Sequence, residues 1–248
     1  MIPKHFTPEP DLLAGRVILI TGASSGLGAA LARECARAGA SVILSGRNGA
    51  KLERIYDEIE SMHAPQPAIA MLDLAAATAM EYDNLAATIG DEFGKLDGLV
   101  HAAALLGDRT PLEQYDVPTW CKVLHVNLTA PFILTQVLLP SLRKSADASV
   151  IFVSSGVVTN PRPFWGAYAV AKSGLEAVRS MLSQELDGEP NIRINSVNPG
   201  RMRTPMRAAA YPAEDPNTVP SPASVSGPFL YLLSAQSRGI DGQYIEAQ

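Results

Sequence analysis

Three observations in the amino-acid sequence predict a doubly wound α/β fold: a parallel sheet of about seven strands with helices on both faces. Short β-branched apolar runs, such as RVILIT and ASVIFV, recur along the chain. Longer segments with helical periodicity separate them, and the first run ends in a glycine-rich turn that opens the first helix. Strands that are continuously apolar belong to a sheet covered on both sides, because a solvated face would impose alternation. Right-handed crossovers between parallel strands then place helices on either face.

The first strand is expected over 16–21 and the first helix over 27–39, closing at Gly39. Strand 41–46 and helix 50–62 follow, then strand 68–74 and helix 80–93. Residues 96–104 hold the fourth strand, and a long helix over 118–142 leads to a fifth at 148–155. The helix that carries Tyr168 runs to Leu186, ahead of strand 192–198. Helix 223–234 and strand 242–247 complete the set. No linker, repeat or charge run divides the 248 residues, so one domain over 1–248 is expected, with 1–14 as an N-terminal arm. The stretch 201–226 differs in character: Pro205, Pro212, Pro216, Pro220 and Pro222 stand among small and polar residues. A long loop of this kind inside a compact fold is a candidate lid over a substrate.

Composition excludes several functions. A net charge of −5 offers no basic face for nucleic acid. No secretory signal is evident and no stretch reads as a membrane span, so a cytoplasmic protein without a membrane partner is expected. Cys35 and Cys121 both fall in helical segments and read as buried, reduced thiols, with neither a disulfide nor a metal site implied.

The turn TGASSGLG comprises Thr21, Gly22, Ala23, Ser24, Ser25, Gly26, Leu27 and Gly28. Glycines allow a sharp turn and close approach of backbone N–H groups to a diphosphate, and the helix N-terminus behind them favours the anion. The spacing is one residue longer at the front than the general dinucleotide fingerprint, but its strand-turn-helix position is the context that fingerprint requires. At the end of the second strand, LSGRNG carries Arg47 and no carboxylate. An acid there would accept from ribose hydroxyls, whereas an unopposed guanidinium suits a 2′-phosphate, so NADP(H) is favoured over NAD(H).

Tyr168 and Lys172 stand four residues apart in GAYAVAKSG and therefore share a helix face. By itself this spacing leaves open a catalytic phenol beside a charge that lowers its pKa, or an unremarkable helix surface.

Several motifs occur in order: TGASSGLG, LDL around Asp73, VN at Asn127, SS at Ser155, YAVAK, and NPG ahead of Thr204. Together they resemble the short-chain dehydrogenase/reductase family in its single-domain Rossmann-type form. Local wording (VILSGRN, ALLGD, WGAYA) is similar to its bacterial YciK-type branch. The resemblance implies that Tyr168 is the general acid/base of a hydride transfer between nicotinamide and a carbonyl/alcohol substrate. Lys172 would lower the tyrosine pKa and bind the nicotinamide ribose. Ser155, thirteen residues before Tyr168, would bond the substrate oxygen, and Asn127 would hold a relay water to the lysine. Asp73 and Leu74 would border the adenine, although Asp73 can equally cap a turn. Ala103, Pro199, Gly200 and Thr204 would complete the cofactor site. A homodimer or homotetramer, through the Asn127 and Tyr168 helices, is also implied.

Two departures accompany the resemblance. HAAA (101–104) replaces the common Asn-Asn-Ala-Gly, so contacts there are expected from the backbone, with His101 a packed strand-end residue. The C-terminal GQYIEAQ lacks the glycine pair that often ends family members. The HAAA turn is the one feature favouring an alternative, a cofactor-binding regulatory or scaffold protein without turnover. Leu105, Leu106, Phe164, Trp165, Met202 and Met206 are expected to line a mainly apolar pocket. Arg203 and Arg207 are candidates to attract an anionic substrate.

Overall fold

The computed structural model describes residues 6–248; residues 1–5 of the expected arm lie outside the described residues. Strands β1 (Val17–Thr21), β2 (Ser41–Gly46), β3 (Ala68–Met71), β4 (Gly98–His101), β5 (Ala148–Val153), β6 (Ile192–Asn198) and β7 (Tyr244–Glu246) form one sheet. Its order is β3-β2-β1-β4-β5-β6-β7, and every pairing is parallel. The chain winds outward from β1 to β3, then returns to place β4 beside β1. Open α/β sheets bind ligands at such a switch point, outside the carboxyl ends of the strands.

Alternate strand residues serve opposite cores. Ile18, Ile20, Val42 and Leu44 pack with α1 (Gly26–Arg37) and α2 (Gly49–Glu60). Val17, Leu19, Ile43 and Phe152 pack on the other face with α3 (Ala79–Phe93). α3 starts at a capping box between Thr78 and Glu81 and ends at Gly94 in the left-handed conformation. β3 stops at Met71, short of the expected 74, because the Asp73 carboxylate accepts the Ala75 N–H at 3.0 Å and turns the chain.

The expected helix over 118–142 is a composite. α4 (Val117–Leu124) passes through a π-helical turn (His125–Thr129) into α5 (Ala130–Arg143). Contrary to the sequence expectation, this 27-residue helix is long and apolar enough to cross a membrane by length and composition, with a mean hydropathy of 1.4 over an 18-residue window. Val126, Ala130, Leu134, Leu138 and Leu142 nevertheless form a row packed into the second core, the arrangement of an interior helix. Cys121 lies on the outer side of α4 and is exposed, which corrects the reading of two buried thiols. Cys35 is buried on α1, where desolvation, followed by the Glu34 charge, pushes its thiol up to about 12.

α6 (Gly166–Glu185) covers the second face beside α5. In the segment 201–226, α7 (Pro205–Ala210) is followed by short 3₁₀ turns at Pro216–Thr218 and Pro222–Val225. The last helix, α8 (Gly227–Leu233), begins later than the expected 223 because Ser221 caps the preceding 3₁₀ turn.

Candidate active site

The carboxyl ends of the strands open onto a cleft of about 500 Å³, a volume usual for a small-molecule site. Backbone geometry sets its floor. Gly22 has φ +68, and a Cβ there would lie 2.8 Å from the Ala103 Cα. A Cβ on Gly28 would run into the Gly22 carbonyl oxygen. Gly28 does not border the cleft itself, but it lets α1 approach the turn that does. The first turn of α1 carries no acidic side chain, and its N-cap Ser25 makes no side-chain capping bond. The first N–H groups of the helix are thus free to receive an anion. The Thr21 hydroxyl accepts the Ala103 N–H at 3.2 Å, tying the glycine turn to the one after β4. The HAAA turn is accordingly held through its backbone. These features, a cradle that a Cβ would fill in front of an uncompensated helix terminus, fit a dinucleotide diphosphate.

Thr21, Gly22, Ser24, Ser25, Gly26, Leu27, Arg47, Asp73, Leu74, Ala103, Pro199, Gly200 and Thr204 all line the cleft. Asp73 both lines it and caps its own turn, so the two sequence readings coexist. It is the one acidic side chain among the described residues lining the cleft. At the end of β2, Arg47 is joined by Lys51, a cation that sequence reasoning did not single out. Its signal was the i, i+4 spacing from Arg47 across the start of α2, where Asn48 caps the helix by accepting the Lys51 N–H at 3.0 Å.

At the opposite end, α6 presents Tyr168 and Lys172, both buried, and β5 delivers Ser155. The Lys172 ammonium donates to the Val153 carbonyl at 2.6 Å. Burial pulls its pKa from 10.5 down to about 8, against the opposing charge of Glu176. Burial also holds the Tyr168 phenol above its usual value of 10, with the Ser155 hydroxyl acting the other way. The tyrosine lowering expected from Lys172 is therefore not the outcome in this geometry, where desolvation of the phenol is the largest influence. Lys172 Nζ lies 5.8 Å from the centre of the tyrosine ring.

The side chain of Asn127 is held by the loop after β4. It sits in the π turn, fully buried and away from the cleft lining. Its side-chain oxygen accepts the Leu105 N–H at 2.7 Å, and its amide donates to the Leu105 carbonyl at 2.8 Å. The amide is spent clamping the strand-to-loop turn and makes no side-chain bond to Lys172. The wider π turn is what inserts this residue toward the loop. His101 is packed as expected: it stacks on Phe152 at 4.9 Å and bonds Thr135 through Nε2 at 2.8 Å. Burial, then the nearby Lys172 charge, pulls its pKa down to about 3.

The apolar wall is built by Leu105, Leu106, Trp165, Met202 and Met206, as expected. Phe164 is not part of it. That residue is half exposed with φ +69, turned outward where the chain enters α6. Tyr115, not foreseen, wedges between Gly107 and Gly166 and accepts the Asp108 N–H at 3.1 Å. A Cβ on Gly166 would meet its ring at 2.5 Å. Arg109 was also missed. It donates to the Ala210 carbonyl at 2.7 Å, and its guanidinium lies 4.4 Å from the Trp165 ring centre and 5.4 Å from that of Tyr211. Arg207 is held by both oxygens of Glu214 at 2.6 Å and is not a free cation, and Arg203 does not line the cleft. Gln248 donates to the Pro199 and Arg201 carbonyls at 2.7 Å, fastening the Asn198–Gly200 turn.

A parallel sheet with a diphosphate cradle and a Tyr–Lys pair at one edge defines a nicotinamide-dependent type of site. The comparisons agree. A profile described as short chain dehydrogenase matches residues 16–215, and the chain belongs to that family of oxidoreductases. It is 41% identical to the uncharacterised oxidoreductase YciK of Escherichia coli K12 over 244 residues, covering 98% of this chain and 96% of that one. A solved structure of a protein described as a short chain dehydrogenase, from Pseudomonas syringae, is 49% identical with TM-score 0.96, covering 98% and 99% of the two chains. Another, from E. coli CFT073 and complexed with NADPH, is 42% identical with TM-score 0.94, covering 97% and 100%.

Proposed function

We propose that the protein is an NADP(H)-dependent reductase that converts a carbonyl to an alcohol, with Tyr168 as the general acid. One observation carries this reading: Tyr168 and Lys172 are buried side by side in the same cleft that begins at the glycine turn. Bound NADPH supplies a hydride to the carbonyl carbon. Ser155 holds the carbonyl oxygen, and Tyr168 gives it a proton, so that ketone plus hydride plus proton yields alcohol. A phenol held above pH 10 is protonated at neutral pH, which suits it to donate. Lys172 spends one N–H on Val153 and keeps two for the ribose and the phenolate that forms. The Asn127 side chain acts as a positioning group, through Leu105.

Arg47 and Lys51 are the proposed 2′-phosphate contacts, in line with the NADPH bound by the E. coli CFT073 relative. Segment 201–226 serves as the lid over the substrate. Val117, Phe132, Val170 and Met181, exposed on α4, α5 and α6, are the apolar residues a second copy would cover in a homodimer or homotetramer.

The test is single-turnover NADPH oxidation over a panel of carbonyl compounds, with Tyr168→Phe alongside. The variant should bind NADPH normally and turn over about 10²- to 10⁴-fold more slowly. Equal rates for both proteins would overturn the assignment. Tighter binding of NADH than NADPH, or an Arg47→Ala variant with unchanged NADPH affinity, would overturn the cofactor preference.

A further inference from the structure

Beyond Ser155 lies a second cavity of about 360 Å³, which shares Ser155, Trp165, Asn198, Gly200 and Arg207 with the first. Three arginines line this cavity, Arg162, Arg201 and Arg207, and no acidic side chain does. Arg207 is neutralised by Glu214. The Arg201 charge also reaches Glu214, but both oxygens of that carboxylate are already engaged by Arg207. Among the described residues neither Arg162 nor Arg201 belongs to an ion pair. In a chain of net charge −5, the exposed guanidinium groups of Arg162 and Arg201, neither held in an ion pair among the described residues, add positive charge beside the substrate-oxygen position. Guanidinium forks match carboxylate and phosphate oxygens, and the Trp165 and Tyr211 rings offer an apolar wall for the atoms between.

We propose that the carbonyl substrate carries an anionic group, a carboxylate or a phosphate, that seats in this cavity against Arg162 and Arg201 while its carbonyl lies at Ser155 and Tyr168. The proposal rests on the carbonyl-reductase reading above and adds the substrate's charge.

Two matched pairs test it: 4-oxopentanoate against its methyl ester, and dihydroxyacetone phosphate against dihydroxyacetone. Binding to the NADP⁺-loaded protein is measured by calorimetry, and NADPH oxidation is followed separately. In at least one pair the anion should bind about tenfold tighter than its neutral partner, the scale of one charge-assisted bond. The pair showing the gap distinguishes carboxylate from phosphate. Added salt should narrow the gap. Arg162→Ala/Arg201→Ala should abolish it, and the double lysine variant should retain most of it. Equal affinities within both pairs, no binding of any probe, or a gap that survives the double alanine variant would overturn the proposal. A gap without NADPH oxidation by any carbonyl would instead overturn the reductase reading and leave the anion site standing.

Discussion

The two ends of the cleft are built differently. The glycine-turn end is backbone: Gly22, Gly26 and Gly28 set its shape, and one Thr21 hydroxyl bond fastens it to the turn after β4. The lid end is side chains: Arg109 reaches across to the Ala210 carbonyl, Trp165 and Tyr211 flank it, and Arg207 grips Glu214. A backbone cradle tolerates almost no substitution, because an added Cβ meets main chain that cannot yield. A side-chain latch of exposed cation–aromatic contacts adds a fraction of a kcal/mol at a time and can open. In the function proposed above, cofactor recognition falls to the backbone end and substrate exchange to the side-chain end.

That contrast breaks most sharply at Gly22. Gly22→Ala forces a Cβ against Ala103 at φ +68, and NADPH affinity should weaken about ten- to hundredfold in a fluorescence titration. Gly94→Ala is the control, with φ +73 but open space around it. It should lower the melting temperature and leave NADPH affinity alone. A parallel loss of affinity in Gly94→Ala would mean that backbone strain, not the cradle, is being measured.

A smaller effect is expected from pH. The folded-state pKa of Lys172 lies near 8, below its ordinary 10.5, so between these values the folded chain binds fewer protons than the unfolded one. The contribution of this group to folding stability therefore rises with pH across that window. Cofactor affinity should run the opposite way, falling several-fold as pH rises from 7 to 9 and the ammonium discharges. Titrations at fixed ionic strength measure this, and Lys172→Met should flatten the profile.

Smallest is the latch. Arg109→Ala removes contacts worth about 0.5–1 kcal/mol at an exposed site, so KM should rise about two- to fivefold with kcat nearly unchanged. A large fall in kcat would place Arg109 in the chemistry rather than on the lid.

The order of strands and helices was legible because apolar periodicity and turn residues act over short range. The glycine turn, Arg47 and the Tyr168–Lys172 pair were legible for the same reason: each is a local spacing whose geometry follows from one turn or one helix. The exceptions have local causes that periodicity does not register. Asp73 ended β3 early by capping its own turn, and the π turn at Asn127 widened a helix whose apolar pattern runs straight through it.

What the sequence alone determined was the doubly wound sheet, the family resemblance, and which side chains stand at the carboxyl edge of the strands. The tertiary structure decided how those side chains are used. Arg109 meets Ala210 across 101 residues, the Asn127 side chain is claimed by Leu105, and Glu214 pairs with Arg207, while among the described residues Arg162 and Arg201 form no ion pair. Burial raises the phenol of Tyr168 and lowers the ammonium of Lys172. Pairing and desolvation depend on what surrounds a residue in space, and no local spacing along the chain encodes them.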